Sequence, residues 1–147
     1  MTVTIRDARP QDEADWRRLW DAYLDFYETT LDPEITDATW RRAHDPASAI
    51  FMRVAELDGK MVGFATCITH EGTWVKDLDC YLEDLYVDAE ARGHGLGRAL
   101  LDDLVALCRK NGWARLYWHT SADNHRARKL YDQYVKTDDH IRYRMSF

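Results

Sequence analysis

Glycine, proline and cysteine are scarce in this chain, with 7, 3 and 3 of its 147 residues. So few glycines and prolines exclude collagen-like and low-complexity chains. The three cysteines, Cys67, Cys80 and Cys108, are odd in number and form no Cys-x-x-Cys pair, which argues against a disulfide framework and against a zinc site. All three lie in apolar segments, so we expect buried free thiols.

Long hydrophobic runs, histidine clusters and an excess of positive charge are also missing. No apolar stretch is long enough to span a membrane, and the N-terminus lacks the apolar core of a signal peptide, so we expect a cytoplasmic protein with no membrane partner. The six histidines are scattered, so we expect no metal. The net charge of -6 argues against a nucleic-acid partner and is compatible with a cationic substrate.

The apolar content of 46% suits a single domain over residues 1–147 with a core of its own. Apolar periodicity and turn residues predict an α/β chain in the order strand, two helices, three strands, helix, strand, helix, strand. That order predicts a mixed sheet with helices on both faces. The predicted strands are residues 3–5, 50–57, 61–69, 80–87, 115–119 and 140–147, and the predicted helices begin at Pro10, Thr36, Leu96 and Asn124.

A glycine-rich turn links the fourth predicted strand to the helix that follows it. The turn reads Arg92-Gly93-His94-Gly95-Leu96-Gly97-Arg98. Glycines let the backbone approach a ligand, and free N–H groups at a helix N-terminus bind anions, phosphate above all. A Walker loop is excluded because Gly97 is followed by Arg98, and a dinucleotide fingerprint is excluded because the glycine spacing is wrong. A turn without a ligand is the remaining alternative.

Arg92-x-x-Gly95-x-Gly97 resembles the pyrophosphate-binding signature of the GNAT superfamily of N-acetyltransferases. Residues 81–87, Tyr-Leu-Glu-Asp-Leu-Tyr-Val, and the stretch from Asn124 to Tyr131 resemble its yeast histone/polyamine and its diamine (spermidine/spermine) acetyltransferases. The resemblance implies the GNAT fold, a mixed, mostly antiparallel sheet splayed between two central parallel strands. It also implies acetyl transfer from acetyl-CoA to a primary amine, with a diamine or polyamine as the leading acceptor.

The resemblance also implies a set of coenzyme A contacts. The pyrophosphate would lie on the amides of the glycine-rich turn, and the pantetheine arm would bind the strand backbone as an added strand. Free strand N–H groups could also stabilise an oxyanion. Asn124 matches a coenzyme A contact, a helix N-cap, or both. The implied contacts are Leu85, Tyr86, Val87, Arg92, Gly93, His94, Gly95, Leu96, Gly97, Arg98 and Asn124.

Tyr131 matches the tyrosine that protonates the departing thiolate in the family, and its alternative is a core tyrosine on an amphipathic helix. Glu83 and Asp84 interrupt an apolar strand, where buried carboxylates are costly unless paired or functional. Because strand side chains alternate, the two should face opposite ways. Glu83 is then the candidate base or ammonium anchor, or else a structural ion pair, and Asp84 is expected to be structural.

Two further features bear on the acceptor. Tyr27 and Glu28 match a polyamine-contacting pair of the diamine acetyltransferases, with a solvated helix end as the alternative. Residues 136–140 replace the Gly-Phe pair that those groups place before the last strand, which affects the acceptor and the subunit interface of the expected homodimer. Acetylation of an amino acid, a protein lysine or an N-terminus, and a coenzyme A-binding sensor without turnover, remain alternatives.

Overall fold

The computed structural model describes residues 1–147 and contains five strands and four α-helices. The strands form one sheet in the order β1-β2-β3-β4-β5, antiparallel except for the parallel pair β4 and β5. The elements are β1 (Val3–Asp7), α1 (Glu13–Phe26), α2 (Pro33–Ala43), β2 (Ile50–Leu57), β3 (Lys60–His70), β4 (Asp79–Val87), α3 (Leu96–Asn111), β5 (Arg115–Trp118) and α4 (His125–Tyr131).

Helices cover both faces of the sheet, and each face has its own core. On one face the buried leucines of α3 pack on β2, β3 and β4. On the other face α1 and α2 contribute an aromatic core in which Trp16 stacks on Trp20 at 5.2 Å and contacts Trp40 at 5.1 Å between ring centroids. The predicted mixed α/β sheet with helices on both faces is confirmed, and no helix combines the length and apolarity needed to cross a membrane.

Turn and cap residues explain where several elements begin and end. Asp58 and Gly59 both have positive φ, +51° and +81°, as the two-residue turn between β2 and β3 requires. Gly112 ends α3 in the left-handed conformation at φ +69°. Asp32, rather than the expected Thr36, caps α2: its side chain accepts from the Glu34 N–H at 2.9 Å, because Pro33 takes the first helical position.

The predicted last strand is wrong for the isolated chain. Residues 140–147 form no strand and are exposed. A strand needs the backbone groups of a neighbour, and this segment has none. As a consequence β5 lies at the edge of the sheet, so the parallel pair β4 and β5 is not central as expected.

Candidate functional site

The glycine-rich loop between β4 and α3 presents a row of free backbone donors. Gly93 and Gly95 have φ of +88° and +75°, and Gly95 is the N-cap of α3. None of the six N–H groups from Gly93 to Arg98 donates a backbone hydrogen bond within the protein. Donors that converge at a helix N-terminus, where the dipole is positive, form an anion site.

Two arginines hold positive charge beside this loop. The Arg92 Nε donates to the Val87 carbonyl at 3.3 Å, and the guanidinium lies 5.8 Å from the centre of the Tyr86 ring. Arg98 donates to the Gln133 side chain and lies 5.8 Å from the Tyr134 ring centre. Neither arginine forms a salt bridge, so both charges remain available to an anion.

The loop borders a cleft of about 500 Å³ between the end of α1, β4, the start of α3, and α4. The cleft brings together most of the predicted site residues, and three others, Glu28, Glu83 and His94, lie outside its lining. The predicted residues in the lining are Tyr27, Leu85, Tyr86, Val87, Arg92, Gly93, Gly95, Leu96, Gly97, Arg98, Asn124 and Tyr131.

Sequence reasoning missed five residues of the lining: Tyr23, Phe26, Arg126, Ala127 and Leu130. Helical spacing could have found them. Tyr23 lies one turn before Tyr27 on α1, and Ala127 lies one turn before Tyr131 on α4. Gly97 also has a packing role, since a Cβ there would meet the Leu130 side chain at 3.4 Å.

β4 and β5 part within the cleft. Their pairing covers only Asp79–Leu82 on β4 and Arg115–Trp118 on β5, although β4 continues to Val87. From Glu83 onward the edge of β4 that would face β5 is therefore free of strand pairing. Such an edge can bind an extended ligand through its backbone groups.

A β-bulge at Glu83 starts this separation. Thr66 of β3 pairs with Asp84 and Cys67 pairs with Leu82, so Glu83 has no partner and is the extra residue. The alternation of β4 changes there: Leu82 packs on the α3 face, whereas Asp84 and Tyr86 contact α1. Strict alternation would put Leu82 and Asp84 on one face, so the simple alternation used for the sequence prediction does not hold across Glu83.

Asp84, rather than Glu83, is the buried carboxylate of the pair. Glu83 is exposed, whereas Asp84 is 8% exposed and its Oδ1 accepts from the Tyr23 hydroxyl at 2.8 Å. Burial raises the pKa of Asp84 to about 6, although the Tyr23 hydrogen bond opposes that shift. Asp84 is thus linked to the cleft by its hydrogen bond with Tyr23, because Tyr23 is one of the residues that line the cleft.

Tyr81 on β4 and Tyr117 on β5 form an aromatic pair, which His119, just after β5, and His70, at the end of β3, both contact. Tyr81 stacks on Tyr117 with 4.9 Å between ring centroids, and His119 meets Tyr81 edge-on. The Tyr117 hydroxyl lies 2.6 Å from His70 Nε2. Burial and, after it, the charge of Glu83 raise the pKa of Tyr81, so the exposed carboxylate acts on this aromatic group.

Tyr131 is half-buried at the side of the cleft that α4 forms. Its ring meets Trp118 edge-on at 5.4 Å, and its hydroxyl has no hydrogen-bond partner in the protein. Burial, with a smaller contribution from Tyr27, raises the pKa of Tyr131 to about 12. The hydroxyl is therefore protonated at neutral pH and free to donate.

Asn124 and the Tyr27-Glu28 pair occupy the ends of helices. The Asn124 Oδ1 accepts from the Ala127 N–H at 3.4 Å, so Asn124 is the N-cap of α4 and also lines the cleft. Tyr27 is the C-cap of α1. Glu28 follows with φ of +52°, outside the helix and outside the cleft.

A separated parallel strand pair beside an anion loop at a helix N-terminus suits an extended ligand that carries phosphate. The Acetyltransferase (GNAT) family matches residues 16–135. The chain belongs to that family and is an N-acetyltransferase, and enzymes of this family use acetyl-CoA. The anion loop and the free edge of β4 fit a phosphate-bearing, extended co-substrate of this kind.

Named relatives agree on the reaction and differ in the acceptor. The chain is 31% identical over 144 residues to D-amino-acid N-acetyltransferase HPA3 of Saccharomyces cerevisiae, covering 97% of this chain and 89% of the relative. It is 36% identical over 117 residues to aminoglycoside N(6')-acetyltransferase type 1 of Stenotrophomonas maltophilia, covering 77% and 72%. The narrower expectation of a polyamine-specific group is not confirmed by these names.

Solved structures share the fold at low identity. The crystal structure of ribosomal-protein-alanine N-acetyltransferase from Brucella melitensis biovar Abortus 2308 superposes with a TM-score of 0.83 at 23% identity, covering 99% of this chain and 100% of that one. This likeness confirms the GNAT fold expected from the sequence.

Gly95→Glu should abolish acetyl-CoA binding, because it adds charge and bulk among the free N–H groups of the loop. Gly112→Glu is the matched control. Both glycines lie at an end of α3 with positive φ and with nothing within 4 Å of an added Cβ, so the backbone strain is similar. Calorimetry should show no binding for Gly95→Glu and nearly native affinity for Gly112→Glu. Equal affinities for coenzyme A in the two folded variants would reject the loop as the binding site.

Asp84→Asn should stabilise the protein at pH 8 and have little effect at pH 4. The folded-state pKa is raised from 3.8 to about 6, so ionisation of Asp84 removes stability as the pH rises through this window. A shift of roughly two units corresponds to about 3 kcal/mol, and Asn keeps an acceptor for Tyr23. Urea unfolding at the two pH values measures the difference.

Asp79→Asn is the control of opposite sign for this experiment. The Arg115 guanidinium, which donates to Asp79 at 2.6 and 2.9 Å, lowers the pKa of Asp79. The stability from this pair is present above the ordinary carboxyl pKa and is lost in acid, so Asp79→Asn should destabilise the protein at pH 8. An Asp84→Asn variant that is equally destabilised at pH 8 would contradict a buried, unfavourably ionised Asp84.

Proposed function

We propose that this protein transfers an acetyl group from acetyl-CoA to the primary amine of a small polar acceptor, with an amino acid as the leading class. One observation carries the proposal: free N–H groups of the glycine-rich loop, a free strand edge and an unpartnered tyrosine hydroxyl border one cleft. The acceptor class rests on the 31% identity to a D-amino-acid N-acetyltransferase over 97% of the chain.

The amine replaces the thiol at the acetyl carbonyl, and this substitution requires two proton transfers, one from the amine and one to the departing sulfur. The amine nitrogen attacks the thioester carbonyl, a C–N bond forms, the C–S bond breaks, and the sulfur leaves as a thiolate. An amine with a pKa near ~10.4 is almost wholly protonated at neutral pH, so it must lose a proton before it attacks. The thiolate gains a proton at the end, which makes a general acid useful.

Tyr131 is our candidate for that acid. Tyr131 lines the cleft with a free hydroxyl. Its raised pKa keeps the oxygen protonated at neutral pH, so the proton is available to the departing thiolate. The backbone N–H groups of β4 beyond the bulge are candidates for stabilising the oxyanion of a tetrahedral intermediate. Leu85, Tyr86 and Val87 carry these groups and line the same cleft.

Glu83 and Asp84 are our candidates on the acceptor side. The exposed Glu83 carboxylate can accept the proton of the amine through water or hold a substrate ammonium. Asp84 adds negative charge behind Tyr23 and fixes the orientation of its hydroxyl. Two carboxylates beside the aromatic group of Tyr81 and Tyr117 make an environment for a cationic amine.

A diamine is the second candidate acceptor, because the same carboxylates suit a second ammonium group. Acetyl-CoA consumption should be measured with a panel of D- and L-amino acids, diamines and an aminoglycoside. We expect turnover with at least one amino acid. No turnover with any amine, in a sample that binds coenzyme A, would reject the proposed function and favour the sensing role.

Tyr131→Phe should lower turnover by about 10²-fold or more while nearly keeping coenzyme A affinity, since one hydroxyl is lost and little volume. Tyr134→Phe is the control on the next turn. Its hydroxyl donates to Asp102 at 2.6 Å, and neither residue lines the cleft, so this variant should keep turnover. Single-turnover rates check both variants. Native rates for Tyr131→Phe would leave Tyr131 with a packing role only.

Glu83→Gln should weaken apparent affinity for cationic acceptors and slow the reaction at neutral pH. The rate should partly recover in alkali, where more of the amine is already neutral. The pH–rate profiles of both proteins, each with a diamine and a monoamine with an uncharged tail, measure the effect. Profiles that coincide for both acceptors would remove Glu83 from the acceptor site.

A further inference from the structure

The lining of the cleft is positively charged, although the protein as a whole is acidic. Arg92, Arg98 and Arg126 line the cleft, and no aspartate or glutamate does. The whole chain carries a formal net charge of -6, so this positive charge is local to the cleft. A cleft lined by charge of one sign attracts ligands of the opposite sign. The lining therefore suits a ligand with several negative charges.

Arg126 differs from the other two arginines because no contact within the protein holds it. Arg92 donates to the Val87 carbonyl and Arg98 donates to the Gln133 side chain. The guanidinium of Arg126 makes no hydrogen bond and no salt bridge, and the residue is exposed. All of its donors are therefore free for a ligand in the cleft.

The packing of α4 on α3 places Arg126 beyond the glycine-rich loop. A Cβ at Gly97 would meet the Leu130 side chain at 3.4 Å, and the Tyr134 hydroxyl, just after α4, donates to Asp102 further along α3. Because these contacts advance in the same direction along both helices, α3 and α4 run parallel. Arg126 lies one turn before Leu130, so it is about 6 Å further toward the N-terminal side than the level of Gly97.

The glycine-rich loop and Arg126 thus form two separate places for negative charge. The two adjacent phosphates of a pyrophosphate can share the free N–H groups at the start of α3. An anion beside Arg126 lies one helical turn ahead of them, on the wall that α4 forms. Coenzyme A carries such an additional anion, a phosphomonoester on its ribose, and a phosphomonoester has a charge of about -1.5 to -2 at neutral pH.

We propose that Arg126 binds the ribose phosphomonoester of acetyl-CoA and makes the protein prefer acetyl-CoA to acetyl-dephospho-CoA, which lacks this group. The inference rests on the proposed function, since it takes acetyl-CoA as the co-substrate. The planar guanidinium suits the contact, because it can donate two parallel N–H···O bonds to one phosphate. The phosphomonoester lies at the opposite end of the co-substrate from the thioester, so Arg126 contributes to binding and leaves turnover at saturating acetyl-CoA unchanged.

Calorimetry with acetyl-CoA and acetyl-dephospho-CoA tests the proposal. The wild type should bind acetyl-CoA about 10-fold or more tightly than the dephosphorylated form, as a charged hydrogen bond provides. Arg126→Gln should lower the affinity for acetyl-CoA by that factor and leave the affinity for acetyl-dephospho-CoA nearly unchanged. Arg126→Lys should keep part of the preference, and Arg126→Glu should reverse it, because a carboxylate repels the phosphomonoester.

Lys129→Gln is the matched control. Lys129 is exposed on the same helix and lies outside the lining of the cleft, so this variant removes the same charge without touching the proposed contact. It should keep the preference of the wild type. Both side chains are exposed, so thermal unfolding of the variants should match that of the wild type.

Three results would overturn the role of Arg126 and leave acetyl-CoA binding in place. They are equal affinities of the wild type for the two ligands, an Arg126→Gln variant that weakens the binding of both ligands equally, and a Lys129→Gln variant that loses the preference as fully as Arg126→Gln. A wild-type protein that binds neither ligand would overturn the proposed function and this inference with it.

Discussion

The extra residue in β4 is the constraint on which the rest of the site depends. Glu83 is inserted between the residues that pair with Cys67 and Thr66, so β4 bends and twists at the point where its pairing with β5 ends. The pairing with β3 is kept for eight positions and the pairing with β5 stops after Leu82. The free edge of β4 begins at this residue, and the change of face after Leu82 places Asp84 against α1.

The aromatic helix α1 positions Tyr23 at the cleft, and the carboxylate that Tyr23 contacts lowers the stability of the fold at neutral pH. Trp16 and Trp20 anchor the helix on the sheet, and Tyr23, one turn later, carries the hydroxyl that bonds to Asp84. Burial in this layer disfavours the charged form of the Asp84 carboxylate, so its pKa is raised. The protein thus keeps a group that weakens the fold at neutral pH next to the cleft, a pattern typical of functional residues.

The turns, the helix ends and the buried helix faces could be predicted from the sequence, because each depends on a few residues close together in the chain. The Asp58-Gly59 turn, the glycine loop and Gly112 are each set by a few neighbouring residues, and helical spacing identified the faces of α1, α3 and α4. The bulge was not predictable, because Glu83 and Asp84 read as simple alternation until the register with β3 is known. The predicted strand over residues 140–147 is wrong for a related reason. Alternation shows that these residues suit a strand, but it does not show which strand they pair with.

Two of the unpaired edges of the sheet meet at Tyr131, and their surroundings differ. The edge of β4 beyond Glu83 continues into free N–H groups and two arginines, so it suits an extended ligand that ends in negative charge. The outer edge of β5 borders a groove in which apolar side chains, such as Leu116, Trp118 and Val135, are mixed with charged ones. Tyr131 lies where the two meet. Tyr131 lines both cavities, so its hydroxyl is a group that both of them can expose to solvent or to a ligand.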